Sequence, residues 1–392
     1  MSNSFHTRAT MASIEQLQQQ IQRFSAFLKI DPDNRSLLLE MGELYHRAGQ
    51  HDDALAYLVR LLELEPGSVV AQSRIASVYL SQHRFAEAST ILQALAAGGE
   101  RSAALEHNLG IALFFQERYD EAAVRFAAAR DAGLDSPTNA KFLAYCLHHE
   151  GNLEGASAAC EAWIAGDAGP AGRAYLSLLS FDAGDRERAR DLALQVLADV
   201  PDNPDANAVA GSLALEDQDI DSANAHFATV LAQQPDNGRA LLGYGLTLLH
   251  REDHAGAVAA LTRASDDMPG NAGTDVALGW TLLTGGDAAA AEIRFRIAIE
   301  HDRGFAEAHG GLASALVHLG RVDEAKQAIV VANKLDRNNF GSVYAQAALL
   351  KLEQRSDLAD RLIARALERT PVAGGPTLLE GLNKLLVPRV KH

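Results

Sequence analysis

Ten alanines set the register of this chain: Ala54, Ala88, Ala122, Ala156, Ala189, Ala223, Ala257, Ala291, Ala325 and Ala359. They are separated by 34 residues eight times and by 33 once. Alanine is abundant throughout, so one such match means little, but ten in series with a single one-residue slip require a repeated structural unit. A second column, twelve positions earlier, holds Gly42, Ala76, Gly110, Ala144, Ser177, Gly211, Gly245, Gly279, Ala313 and Ala347, all small. Two small columns on helices that fold back on each other let backbones approach where larger side chains would hold them apart.

At 392 residues, length alone suggests two or three globular domains. A repeat array instead grows by adding neighbours and needs no separate cores. A hydrophobic content of 47% with only 6% aromatic residues fits alanine- and leucine-rich helix packing and is unusual for a sandwich or barrel. The predicted class is all-α.

The formal charge of −16, from 51 acidic and 35 basic residues, argues against nucleic acid or an anionic membrane as a general partner. No run of 18 apolar residues exists, so membrane insertion is not expected. The opening MSNSFHTRATMAS lacks the apolar stretch and cleavage site of a secretory signal, which leads to an expectation of a cytoplasmic protein. Cys146 and Cys160, the two cysteines, fall at helical positions of one unit and are expected to be buried free thiols.

Each unit reads as two helices with a breaker after each. Gly49, Gly151, Gly184, Gly286 and Gly320 stand five residues before their register alanine, where a chain leaving a helix can use positive φ. Pro66, Pro201, Pro235, Pro269 and Pro371 stand twelve residues after it, where proline ends the second helix.

In residues 35–68, Met41-Gly42, Tyr45, Gly49, Ala54, Leu58, Leu61 and Pro66 follow a known consensus. Leu109-Gly110, Tyr119, Ala122, Phe126 and Ala129 repeat it, as do Leu312-Ala313, Gly320, Ala325, Ile329 and Ala332. On these residues the array resembles the tetratricopeptide repeat (TPR) family, whose 34-residue unit is a helix–turn–helix. The resemblance covers about nine-tenths of the chain and implies an α-solenoid superhelix of about ten units with terminal capping helices.

The expected organisation is a disordered 1–12, a capping helix in 13–34, units 1–4 over 35–169, units 5–10 over 170–371, and a closing helix and tail in 372–392. Residues 376–386, PTLLEGLNKLL, fit that closing helix. The sequence also departs from the family. Its frequent tryptophan near the start of the first helix is replaced by Leu38, Gln72, Glu106, Ala140, Arg173, Asn207, Leu241, Asp275, His309 and Val343. Trp163 stands where a small residue is usual, followed by GDAGPAG and the single 33-residue interval. A change of curvature is therefore expected near residues 163–173.

No arrangement of residues signals catalysis. Gly310-Gly311, Gly285-Gly286 and Gly243-x-Gly245 lie within helical units, with no preceding strand to present a nucleotide. Cys146, His148, His149 and Cys160 form the single metal-like group: Cys146 and His149 share a helix face, Cys160 lies on the second helix at a core column, and a tetrahedral site would need a fourth ligand and a different rotation for His148. The expectation is no enzyme, no metal and no cofactor.

The resemblance implies that first helices line a concave groove through their second, fifth, ninth, twelfth and thirteenth positions. Those columns give His107, Phe114 and Phe115 in the third unit, Lys141, Tyr145, His148 and His149 in the fourth, Phe181 in the fifth and Trp280 in the eighth. Tyr175 joins this aromatic, histidine-rich set. The family's clamp for chaperone C-termini needs further cations, whereas here Tyr145 follows Lys141 one turn later. An apolar, aromatic groove suits a protein or peptide ligand held by side-chain pockets.

The reading is a non-catalytic adaptor of bacterial type, with assembly or secretion machinery implied by the resemblance alone. Dimerisation through the terminal helices is a second reading. A third is a regulatory or substrate-presenting subunit of a separate glycosyltransferase-type enzyme or polysaccharide export system.

Overall fold

The computed structural model describes residues 16–367 apart from residue 338. The readings for 1–12 and 376–386 lie outside the described residues. Among those described there are 21 helices and no strand. Contacts divide the chain into two bodies, one up to Gly172 and the other from Arg173.

The first body begins with α1 (16–28). Four hairpins follow: α2 (Arg35–Arg47) with α3 (His51–Leu64), α4 (Val69–Ser81) with α5 (Phe85–Ala97), α6 (Ala103–Phe114) with α7 (Tyr119–Asp131), and α8 (Pro137–His149) with α9 (Leu153–Gly166). Next, α10 (Pro170–Asp182) carries the boundary and pairs with α11 (Arg186–Asp199). The second body continues with α12 (Pro204–Glu216) and α13 (Ile220–Gln233), α14 (Gly238–His250) and α15 (His254–Asp267), and α16 (Ala272–Thr284) and α17 (Ala288–His301). It ends with α18 (Ala306–His318) and α19 (Val322–Leu335), then α20 (Phe340–Leu352) and α21 (Ser356–Leu367).

The register alanines explain the packing within each hairpin. All ten are fully buried, and in five units a knob four residues further along the second helix points at a glycine in the small column of the first. Where that knob is Phe126, Phe227 or Phe295, the small residue is glycine: a Cβ on Gly110, Gly211 or Gly279 would lie 2.8, 2.9 or 2.8 Å from the ring. Gly42 and Gly245 face Leu58 and Leu261 instead, whose Cγ atoms would lie 2.5 and 2.7 Å from an added Cβ. A glycine in the small column thus admits either a phenyl ring or a leucine, which keeps these seams close-packed.

Each hairpin turns through one left-handed residue. Five are the glycines read from the sequence, at φ between 73° and 95°. The other five are His83, Glu117, Gln218, Glu252 and Gln354, at φ between 58° and 64° in the same column. Turn geometry is thus set by the two flanking helices, and half the units hold it without glycine. First helices mostly begin at an Asn or Ser whose side chain accepts the N–H three residues on, as Asn34, Ser68, Ser102, Asn203, Asn237 and Asn271 do.

In three units a polar pair replaces the family's tryptophan. Glu106 meets Arg125 at 3.2 Å, Asn207 meets His226 at 2.8 Å and Asp275 meets Arg294 at 3.4 Å, always nineteen residues apart. Burying those acids requires these partners. Asp275 also accepts from the Ser265 hydroxyl at 3.1 Å and lies 3.4 Å from His301. At the start of the array, Ile21, Phe24 and Leu28 of α1 pack onto Leu38, Met41 and Leu61. Both cysteines are buried and outside any disulfide, and burial pushes the Cys146 thiol up to about 12.

Candidate partner-binding surface

First helices of consecutive units touch one another along each body, at α2–α4, α4–α6 and α6–α8 in the first and from α12 to α20 in the second. What covers this inner side is decided by the residues at the fifth, sixth and ninth positions of each first helix.

In units 3 and 4 that side is aromatic. Phe115, half exposed at 50%, stacks on Phe85 of the preceding hairpin with ring centroids 4.6 Å apart, and meets Phe114 edge-on at 5.4 Å. Phe114 in turn meets Tyr119 at 5.4 Å and Phe142 at 4.9 Å edge-on, with Tyr145 at 6.3 Å. Phe142 stacks on the buried Phe126 at 5.7 Å, and Tyr145 meets Trp163 edge-on at 6.0 Å. His149 lies flat on Tyr119 at 4.0 Å. Each such pair contributes about 0.5–1.5 kcal/mol beyond its buried area, so the ladder is held rigid before any ligand arrives.

The charges on this face are few. Lys141 is the one Asp, Glu, Lys or Arg in α8, and residues 107–116 contain none. Its ammonium lies 5.2 Å from the Phe142 ring, 5.8 Å from Trp163 and 5.9 Å from Tyr145. Partial desolvation, reinforced by the neighbouring His148 and opposed by Glu117, lowers the pKa of His149 from the ordinary histidine value, which favours its neutral form at pH 7.

The sequence-predicted residues separate into different environments. Phe114, Phe115, Lys141, Tyr145 and His149 come together in this one surface, and His148 is half-buried on the same helix. His107 is engaged in structure: its Nδ1 pairs with Asn139 Oδ1 at 2.9 Å, while Asn139 Nδ2 donates to the Phe126 carbonyl at 2.9 Å. Tyr175 and Phe181 are half-buried in the second body, and the guanidinium of Arg186 covers the Phe181 ring at 4.1 Å.

Trp280 was expected in the groove and is 2% exposed. It packs edge-on against Phe295 at 5.5 Å and against Tyr344, two units on, at 5.9 Å. That reach across α18 is available because α18 presents Gly310, Gly311 and Ser314 at the positions where α8 has Lys141, Phe142 and Tyr145. A Cβ on Gly310 would lie 2.7 Å from Ser342 N, and one on Gly341 2.6 Å from Gly310 C, so α18 and α20 meet backbone to backbone.

Phe85, Tyr119 and Phe142 were missed from sequence because they stand outside the five groove columns. A usable signal exists at a spacing of thirty. Phe85 with Phe115, Tyr119 with His149 and Arg186 with Glu216 each join the first residue of a second helix to the thirteenth position of the next unit.

A regular array of helical hairpins with small-residue seams and an aromatic face on its inner side defines an α-solenoid repeat scaffold. The chain belongs to the tetratricopeptide-repeat family: one tetratricopeptide repeat profile matches residues 15–69, 107–172 and 209–272, and a second matches 45–106 and 282–352. Members of this family are protein-interaction scaffolds. No curated protein matches the sequence. Among solved structures, the human IFIT1 dimer with m7Gppp-AAAA is similar at 15% identity and a TM-score of 0.48, over 86% of this chain and 90% of that one. Yeast Tom70 is similar at 15% identity and a TM-score of 0.38, over 96% and 93%. YrrB, described as a TPR protein with an unusual peptide-binding site, is similar at 19% identity and 0.43, over 47% and 95%. No described helix is long and apolar enough to cross a membrane.

Proposed function

We propose that this protein is a non-catalytic adaptor that binds a protein or peptide partner on the aromatic inner face of units 3 and 4. The observation that carries the reading is Phe115. A phenyl ring half exposed on a ladder already ordered by Phe85, Phe114 and Phe142 is a preformed anchor site, since binding there orders little new side-chain freedom. The partner sits within a bacterial assembly or secretion system, the setting that the repeat resemblance suggests.

The test is affinity capture from native lysate with wild type beside Phe115→Ala/Tyr145→Ala, after circular dichroism shows equal helicity. The expected outcome is a partner whose recovery falls at least about tenfold in the variant. Equal recovery by both proteins would place binding away from this face.

A further inference from the structure

Resting on that reading, we infer that the segment bound by units 3 and 4 is acidic as well as apolar, with a carboxylate paired to Lys141 and an apolar side chain on the Phe85–Phe115 stack. An ammonium carries three N–H donors and accepts nothing. Lys141 is half-buried, and its contacts among the described residues are three π faces, with no carboxylate or carbonyl within hydrogen-bond reach. The rings hold the side chain in place by cation–π attraction and strip part of its water, while leaving its donors to be filled. A ligand carboxylate supplies what the fold leaves out.

The surrounding charge supports an anion here in spite of a chain total of −16. Neither α8 nor residues 107–116 contribute an acid, and the one carboxylate in α6, Glu106, is buried against Arg125. Acids elsewhere are screened over about 8 Å at physiological salt. The face thus sets its one lysine among rings, with Glu117 and Glu150 acting on His149 and Cys146 toward the C-terminal end of α8. Its two ends are close: Phe142 lies 5.2 Å from the Lys141 ammonium and 6.1 Å from the Phe115 ring. At about 3.3 Å per residue, an extended segment reaches both ends with side chains two or three residues apart. The signature is an Asp or Glu at that spacing from a Leu, Phe, Tyr or Trp.

The probe is a displayed library of random peptides of about twelve residues, selected on the full chain and measured by fluorescence anisotropy. Selected peptides should carry the acidic–apolar pair. Replacing the peptide's Glu by Gln should weaken binding about tenfold, and Lys141→Glu should do the same, with Lys141→Met intermediate because it keeps the aliphatic stem over the rings. Raising salt to about 0.5 M should weaken binding to wild type and not to Lys141→Met. Peptides that lose binding on Phe115→Ala, yet show no acidic enrichment and bind Lys141→Glu equally, overturn the acidic assignment and leave the binding face standing. Peptides indifferent to Phe115→Ala, or a library that yields none, overturn the binding face itself.

Discussion

Units 4 and 9 share one register and one hairpin, yet their inner faces are opposites. At the fifth, sixth and ninth positions unit 4 has Lys141, Phe142 and Tyr145, whereas unit 9 has Gly310, Gly311 and Ser314. With large residues the face is filled by its own rings and presents Phe115 outward. With small ones the neighbouring helices close over it. The Ser314 hydroxyl then lies 3.0 Å from the Gly310 carbonyl and 3.1 Å from that of Gly341, and Trp280 meets Tyr344 across the gap. Nearer the start of the second body, Arg239 forks onto both carboxylate oxygens of Asp182 at 2.8 Å, joining first helices two units apart across α12. Three positions per repeat thus decide whether the inner side is an open aromatic face or part of the core, with the seam between paired helices unchanged.

The comparison breaks most directly at Gly310. Its Cβ direction meets backbone atoms of α20, which cannot rotate away as a side chain could. Gly310→Ala should therefore cost about 3 kcal/mol, at the upper end of overpacking. Hydrogen exchange is the suitable measurement because an array need not unfold in one step, and the loss of protection should be confined to α16–α21. Unchanged protection there would mean that the glycines do not hold these helices together.

A smaller effect separates the inner face from the turns. Glu117 of unit 3 and Gln354 of unit 10 both occupy left-handed backbone, at φ 61° and 58°. Glu117→Gly and Gln354→Gly should each stabilise by roughly 0.5–1 kcal/mol, the relief of Cβ strain less the entropy glycine adds to the unfolded chain. Equal gains in urea melts would show that the turns are equivalent and that the two regions differ only on their inner sides. Unequal gains would mean that the loops contribute to the difference.

The fold was legible because alanine and glycine at fixed spacing leave no other close packing, and the buried alanines bear this out residue by residue. The inner face was legible only in part. A column lists which residues point inward in one unit, but Trp280 is covered by Tyr344 from 64 residues away, through a gap whose width depends on α18 between them. Similarly, His107 stands in a groove column and spends its ring on Asn139. Exposure on this side is a property of three consecutive units, which a single-unit consensus does not carry. The polar pairs at nineteen residues were missed for a related reason: Glu106 and Asp275 read as lost tryptophans until Arg125 and Arg294 appear across the hairpin.

The smallest effect comes from a carboxyl within the closed region. Glu307, at the start of α18, accepts from Asn339 Nδ2 at 2.5 Å, and burial raises its pKa above the ordinary glutamate value. The folded state then holds this proton more tightly than the unfolded state. Its contribution is therefore most favourable below the unfolded pKa and is lost as pH rises through the folded one. Glu307→Gln keeps an oxygen for Asn339 and removes the charge, so it should stabilise the chain at neutral pH and make no difference near pH 4, about the unfolded value. Urea midpoints of wild type and variant should converge as pH falls. Parallel midpoints at both pH values would show that Glu307 ionises freely in the folded chain, and that the region over α18 is more open to water than the inner face of unit 9 implies.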